Sequence, residues 1–233
     1  MVFQPRRLAH RPLFYKRLEN YIDLNGVGVI DITNNGETFP VVLNGPVNRS
    51  GTANIKGFEL AYQQTYDFLP GLLGGLGLQA TYTYIDPGSV PNGTATNGAG
   101  DGSRPPGEVD NLYDNLPLTR LSKHNANVAA FYDRGGLYKR LAYSWRSDYL
   151  INARDCCFPF FSVFSEASGQ LDGSIFYSVN DTFKIGVQAS NLLNEVTRTS
   201  FALYEDGNGE IVRSKRAAFI NDRRFSITTR LSF

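Results

Sequence analysis

The chain is 233 residues long, 42% hydrophobic and 19% charged, with a formal net charge of +1. No stretch approaches the roughly 18 consecutive apolar residues of a membrane-spanning helix, and the near-neutral charge gives no reason to expect nucleic acid as a partner. The 13 Tyr, 16 Phe and 23 Gly, against one Met and one Trp, suit a β protein, and a transmembrane barrel escapes the helix exclusion because half of each strand faces water.

Residues 1–13 form a basic lead-in. Arg6, Arg7, His10 and Arg11 stand there, with Lys16 and Arg17 just beyond, and up to Tyr21 there is neither an apolar core nor a small-residue cleavage site. The chain therefore reads as the distal part of a longer protein or as a truncated reading frame, with barrel from 14 to 233. Residues 14–30 predict a weakly patterned first strand and 31–51 a loop. Residues 55–68 then alternate, placing Phe58, Leu60, Tyr62 and Tyr66 on one side and Gly57, Glu59, Ala61, Gln63 and Thr65 on the other. A period of two is the strand signal, because successive side chains point to opposite sides of the pleat. Leu69–Gly75 predicts a turn, and residues 76–85 set Leu76, Leu78, Ala80, Tyr82 and Tyr84 against Gly77, Gln79, Thr81 and Thr83. The Gly-, Pro- and Asn-rich stretch 86–117 predicts a long loop.

Residues 119–133 predict the next strand, with Val128, Ala130 and Tyr132 on its apolar side. Asp133-Arg134-Gly135-Gly136 makes a tight turn, after which Leu141, Tyr143 and Trp145 oppose Arg140, Ser144 and Arg146. A loop over 152–168 precedes a strand at 169–179, where Leu171, Ile175, Tyr177 and Val179 oppose Asp172, Ser174 and Ser178. Asn180-Asp181 turns the chain, and Phe183, Ile185, Val187 and Ala189 then oppose Lys184, Gly186, Gln188 and Ser190. A polar stretch at 204–211 leads to the last strand. Its apolar side carries Phe225, Ile227, Leu231 and the terminal Phe233, and its polar side Arg224, Ser226, Thr228, Arg230 and Ser232. This reads as the closing strand, and the barrel-assembly signal, of an outer-membrane β-barrel, with one side for lipid and one for a watery lumen.

Long and short connections alternate, as they do in bacterial barrels with short periplasmic turns and long external loops. The rule puts Pro70, Gly135, Asn180 and the C-terminus in the periplasm, and 31–51, 86–117, 152–168 and 204–211 outside. The prediction is an all-β, antiparallel, up-and-down transmembrane barrel wall of about eight strands. A soluble β-sandwich shares the alternation but has shorter strands, with turn signals every 8–12 residues or so.

Three segments carry a resemblance to a known family. They are Ala53-Asn54-Ile55-Lys56-Gly57-Phe58-Glu59-Leu60; Leu116-Pro117-Leu118 with Ser122-Lys123-His124-Asn125-Ala126-Asn127; and Gln188 to Glu195 with Asn221-Asp222-Arg223-Arg224-Phe225 and Phe233. In this order, over about residues 52–233, the chain resembles the C-terminal part of TonB-dependent outer-membrane receptors. The resemblance implies some eight C-terminal strands of a barrel of about 22. It implies uptake of a scarce nutrient such as a siderophore–iron chelate, a cobalamin or an oligosaccharide. The partners implied are outer-membrane lipid, the barrel-assembly machinery, a plug domain, the TonB energy-coupling complex and the nutrient ligand, in a Gram-negative outer membrane. No cofactor is implied. Neither a plug nor a TonB-gripped segment is recognisable, so transport by this chain alone is not expected. Eight strands either close into a narrow barrel or stay an open arc with two unpaired edges. Two other readings remain: a free-standing small barrel with a structural or adhesive role, and a soluble carbohydrate-binding sandwich.

No enzyme or metal constellation is visible, since His10 and His124 are the only histidines and no nucleophile elbow or phosphate loop appears. His124 reads as a polar residue at the start of a strand. Cys156-Cys157 leaves two readings, a vicinal disulfide stiffening its loop or pairing with cysteines elsewhere in a longer chain. Phe158, Phe160, Phe161 and Phe164 either pack the loop on itself or its rim, or offer a ligand- or plug-contacting surface at the barrel mouth. The predicted lumen-facing set is Glu59, Gln63, Gln79, Arg140, Arg146, Asp172, Lys184, Gln188, Arg224 and Arg230. Trp145, with Tyr82, Tyr84, Tyr143 and Tyr177, reads as lipid-facing or as interfacial girdle.

Overall fold

The computed structural model describes residues 7–20, 22–48, 51–91, 115–153, 155, 161–205 and 211–231. Among these, no helix is long and apolar enough to cross a membrane, a test that does not bear on strands.

The described chain opens with β1 (Arg7–His10) and β2 (Leu13–Glu19), separated at Arg11-Pro12. Pro12 has no N–H to give a ladder, and its carbonyl accepts the Glu59 N–H at 3.0 Å. Next come β3 (Ile22–Asn34), β4 (Glu37–Asn48) and β5 (Thr52–Thr65). Both β1 and β2 lie along one edge of β5, β1 against Ala61–Gln64 and β2 against Thr52–Phe58. The basic lead-in thus contributes a strand of sheet. β3 and β4 form a separate two-stranded ribbon, turned at Asn35-Gly36. The first strand therefore stops at Glu19, not near residue 30, and most of the 31–51 loop is the returning half of a hairpin. Cross-strand apolar pairs Ile30–Val41 and Ile32–Phe39 and an Asn-Gly turn drive that pairing.

β6 (Leu76–Asp86) follows a one-turn 3-10 segment at Gly71–Gly75. A short ribbon of β7 (Ser89–Pro91) and β8 (Asn115–Pro117) closes the base of the 86–117 connection, whose residues 92–114 lie outside the described set. β9 (His124–Arg134) begins five residues later than the pattern predicts, and β10 (Leu137–Arg146) follows through Gly135-Gly136. Those glycines have φ of +61° and +79°, the pair of positive angles that a two-residue hairpin matched to strand twist requires. The remaining strands are β11 (Tyr149–Asn152), β12 (Ser162–Ser165), β13 (Ser168–Ser178), β14 (Phe183–Ser190), β15 (Val196–Glu205), β16 (Ile211–Ile220) and β17 (Arg224–Leu231).

The main sheet is antiparallel, in the order β1-β5-β6-β9-β10-β13-β14-β17, with β2 also on β5. Because β1 and β2 share one edge, the sheet is eight strands wide. A second sheet, β11-β12-β15-β16, sits on its far end. Each of its strands prolongs one strand of the main sheet: β10 into β11, β12 into β13, β14 into β15, β16 into β17. The joints fall at 147–148, 166–167, 191–195 and 221–223. Strand accordingly reaches into the loops expected at 152–168 and 204–211, at 152, 162–165, 168, 204–205 and 211, while residues 154, 156–160 and 206–210 lie outside the described residues. Among the described residues β17 has no ladder partner beyond β14, and β1 and β2 none beyond β5, so the main sheet is an open arc.

Register keeps the two sides of every strand apart across the arc. On one face Leu60 lies opposite Tyr82, Ala130 opposite Leu141, Ile175 opposite Val187, and Val187 opposite Ile227. Ile227 is 78% exposed and Ile175 51%, so none of the described residues covers this face. The other face joins Glu59 to Thr83, Gln63 to Gln79, Thr81 to Asn127 and Gln188 to Ser226. A soluble sandwich would bury the apolar face against a second sheet. Here the compact apolar cluster, Leu116, Leu150, Phe164 and Ala202, lies in the outer sheet and its flanking ribbon instead.

Candidate functional site

The polar face of the arc carries the candidate site. Its upper part is built on Asn191, the residue after β14, whose φ of +54° is a left-handed turn that Asn tolerates better than most residues. Buried at 4% exposure, Asn191 accepts the Glu195 N–H at 2.7 Å and donates from Nδ2 to the Asn221 carbonyl at 2.6 Å. One amide therefore joins two of the four sheet joints. Its own N–H donates to Asp172 Oδ1 at 2.9 Å, and Gln170 Nε2 donates to both oxygens of the same carboxylate at 2.9 and 3.2 Å.

Among the described residues, a larger and a smaller concavity open on this face. The larger, about 720 Å³, is lined by Arg140, Asp172, Ser174, Gln188, Arg223 and Arg224 among others. Four of these belong to the predicted lumen-facing set. Arg223 does not, because it stands in an irregular joint where a period of two gives no face. The smaller, about 230 Å³, is lined by amides and hydroxyls including Asn125, Asn127 and Gln170, with Arg146 and Glu195. Arg146 is partly spent on structure: Nε donates to Ser122 Oγ at 2.8 Å and the guanidinium lies 3.8 Å over the Tyr149 ring. Glu59, Gln63 and Gln79 lie further along the face, on β5 and β6. Lys184 sits directly opposite Arg230, a like-charged pair, and also 5.7 Å from the Phe176 ring centre.

The sequence pattern misses three rings on this polar face. Phe14, Phe131 and Phe176 each lie across from a glycine, respectively Gly57, Gly77 and Gly186. A Cβ at Gly77 or Gly186 would collide with the facing ring, so the glycines create the seats. Runs such as Ile175-Phe176-Tyr177 are apolar at every position and hide the alternation; a glycine at the cross-strand position is the signal that reveals it.

On the apolar face, rings gather at both ends of the strands. Phe58 stacks on Tyr84 at 5.5 Å, and His124 lies 5.3 Å from Tyr84 while its Nδ1 shares a 2.7 Å hydrogen bond with Tyr82 Oη. Trp145 and Tyr143 close over Gly169, and Tyr132 and Tyr177 stand near the opposite turns. His124 is thus the polar member of an aromatic group. Among the described residues, no cluster of three or more His, Cys, Asp or Glu could hold a metal.

The outer sheet shows what becomes of the aromatic run. Phe164, at 3% exposure, is locked in the apolar cluster with Arg213 stacked 4.1 Å over its ring, and it presents nothing to a ligand. Phe161 packs against Phe201 at 5.9 Å. Phe158, Phe160, Cys156, Cys157 and the terminal Phe233 lie outside the described residues. Arg213 also pairs with Asp148 at 2.7 Å, and Arg216 grips Asp155 with two bonds of 3.2 Å. Both arginines stand on β16 and both carboxylates flank β11, the opposite edge of the outer sheet. Two ion pairs therefore tie one edge of that sheet to the other, across its aromatic packing.

The family model described as TonB dependent receptor-like, beta-barrel matches residues 13–192. No curated protein and no solved structure matches the chain. An antiparallel arc with one apolar and one polar face, together with this match over most of its length, shows that the chain belongs to the β-barrel family of TonB-dependent receptors, a family of outer-membrane receptors.

Proposed function

We propose that the chain forms wall in the barrel of an outer-membrane receptor that takes up a scarce nutrient. The apolar face lies in lipid, the polar face lines the lumen, and the outer sheet stands outside the cell. The observation that carries this reading is the uncovered apolar face that runs in register from β5 to β17. Lipid satisfies that face where water would not, because each exposed aliphatic side chain gains by transfer from water. The aromatic groups at its two ends suit the interfacial girdles.

In this reading the turns at 66–75, 135–136 and 179–182 and the end of β17 are periplasmic. The two free edges of the arc require further strands, since unpaired backbone N–H and C=O groups are costly in hydrocarbon. The arc alone is not a transporter. The partners of the working receptor are those of its family: a plug domain inside the barrel, the TonB complex that supplies energy, the barrel-assembly machinery and a small nutrient ligand. A siderophore–iron chelate, a cobalamin or an oligosaccharide are the ligand classes to test.

Site-directed spin labels in outer membranes test the assignment of faces. Labels at Leu141, Val187 and Ile227 are expected to be quenched by oxygen, and labels at Thr81, Ser144 and Gln188 by a water-soluble nickel chelate. The reverse pattern, or no difference between the two sets, defeats the reading.

A further inference from the structure

Among the described residues, one cavity on the polar face sets three arginines against a single carboxylate. Arg140 from β10, Arg224 from β17 and Arg223 from the joint before it converge on the same concavity of about 720 Å³, where Gln188 and Ser174 add neutral donors. The carboxylate on its wall, Asp172, already accepts from Gln170 and from the Asn191 N–H. None of the three guanidinium groups has an ion-pair partner among the described residues. Three exposed arginine side chains against one carboxylate give this wall an excess of cationic donors, which favours an anion. The planar fork of a guanidinium matches the two oxygens of a carboxylate better than it matches a neutral hydroxyl.

The position of the cavity favours access from outside. Asp172, Arg223 and Arg224 lie where the main sheet gives way to the outer sheet, at the end of the wall remote from the short turns. A group passing the outer sheet meets the smaller cavity beside Asn191 and Glu195 and then this one.

We propose that the cavity is a binding site for a carboxylate group, supplied either by an anionic ligand entering past the outer sheet or by an acidic side chain of a protein domain held in the lumen. The proposal rests on the polar face being the lumen.

Outer membranes purified from cells making the chain, or its Arg140→Gln/Arg224→Gln variant at equal level, are titrated with labelled citrate, labelled hexaglutamate peptide and labelled sucrose. One or both acids are expected to bind and sucrose not to. The double substitution is expected to weaken acid binding by about ten-fold or more, and added salt to weaken it further. Tighter citrate identifies a free ligand as the source of the carboxylate, and tighter hexaglutamate a protein domain. Binding that the double substitution leaves unchanged, sucrose bound as well as the acids, or no binding of either acid overturns the site. Resistance of the chain to carbonate extraction reports insertion separately. An inserted chain that binds no acid overturns the site alone; spin labels on the polar face quenched by oxygen and not by the nickel chelate overturn the barrel reading and the site with it.

Discussion

Asn191 holds more of the architecture than any one of its atoms suggests. Its amide links the joint after β14 to the joint before β17 through Glu195 and Asn221, and its backbone turns left-handed there. Alanine would lose the side-chain bonds and strain the backbone, whereas glycine would lose the bonds alone. Asn191→Ala is expected to destabilise the folded chain by about 2–4 kcal/mol and Asn191→Gly by about 1 kcal/mol less, read from urea unfolding in lipid. Equal losses for the two would remove the backbone from the account. At this scale the sequence was legible only where alternation was clean. Glu59, Gln63, Gln188 and Arg224 announced their face by position. Phe176 did not, because its neighbours are equally apolar, and Arg223 did not, because an irregular joint has no period.

The elements differ in how much supports them, and their stability should differ accordingly. Among the described residues the β3–β4 ribbon pairs with nothing else, and an isolated two-stranded hairpin is marginal in water. Its amide protons are therefore expected to exchange well before those of β9 and β10, each of which has a strand on both sides. Comparable protection would mean that the ribbon has a partner. The outer sheet is held differently, by its apolar cluster and the two ion pairs between β11 and β16. A double-mutant cycle on Arg216 and Asp155 is expected to give a coupling of about 1–2 kcal/mol, and one on Arg213 and Asp148, whose carboxylate is more exposed, roughly 1 kcal/mol or less. Calorimetric or denaturant unfolding of the four variants in each cycle supplies the numbers. Alternation foretold the strands of the main sheet closely, from Phe58 on β5 to Ile227 on β17. It did not foretell the outer sheet, because Ser162–Ser165 mixes polar and apolar residues without a period and Thr197–Ser200 is polar throughout. Those strands exist because long-range packing around Phe164 selects them.

Across the whole molecule, the two faces are expected to respond oppositely to charge. Val187→Arg or Ile227→Arg, on the apolar face, is expected to cost about 2–4 kcal/mol of insertion, seen as loss of chain from the outer-membrane fraction. Gln188→Arg, one residue away on the polar face, is expected to leave the amount inserted nearly unchanged. Equal depletion by Val187→Arg and Gln188→Arg would argue that both faces meet the same medium. The joints at 147–148, 166–167, 191–195 and 221–223 have a wider meaning. In the proposed orientation they divide each long hairpin into a portion that must keep its place in the membrane and a portion that need not. Insertions, deletions and altered chemistry above the joints leave the strand offsets below them intact. In that orientation a lineage can retune what the upper portion meets without relearning how to build the wall.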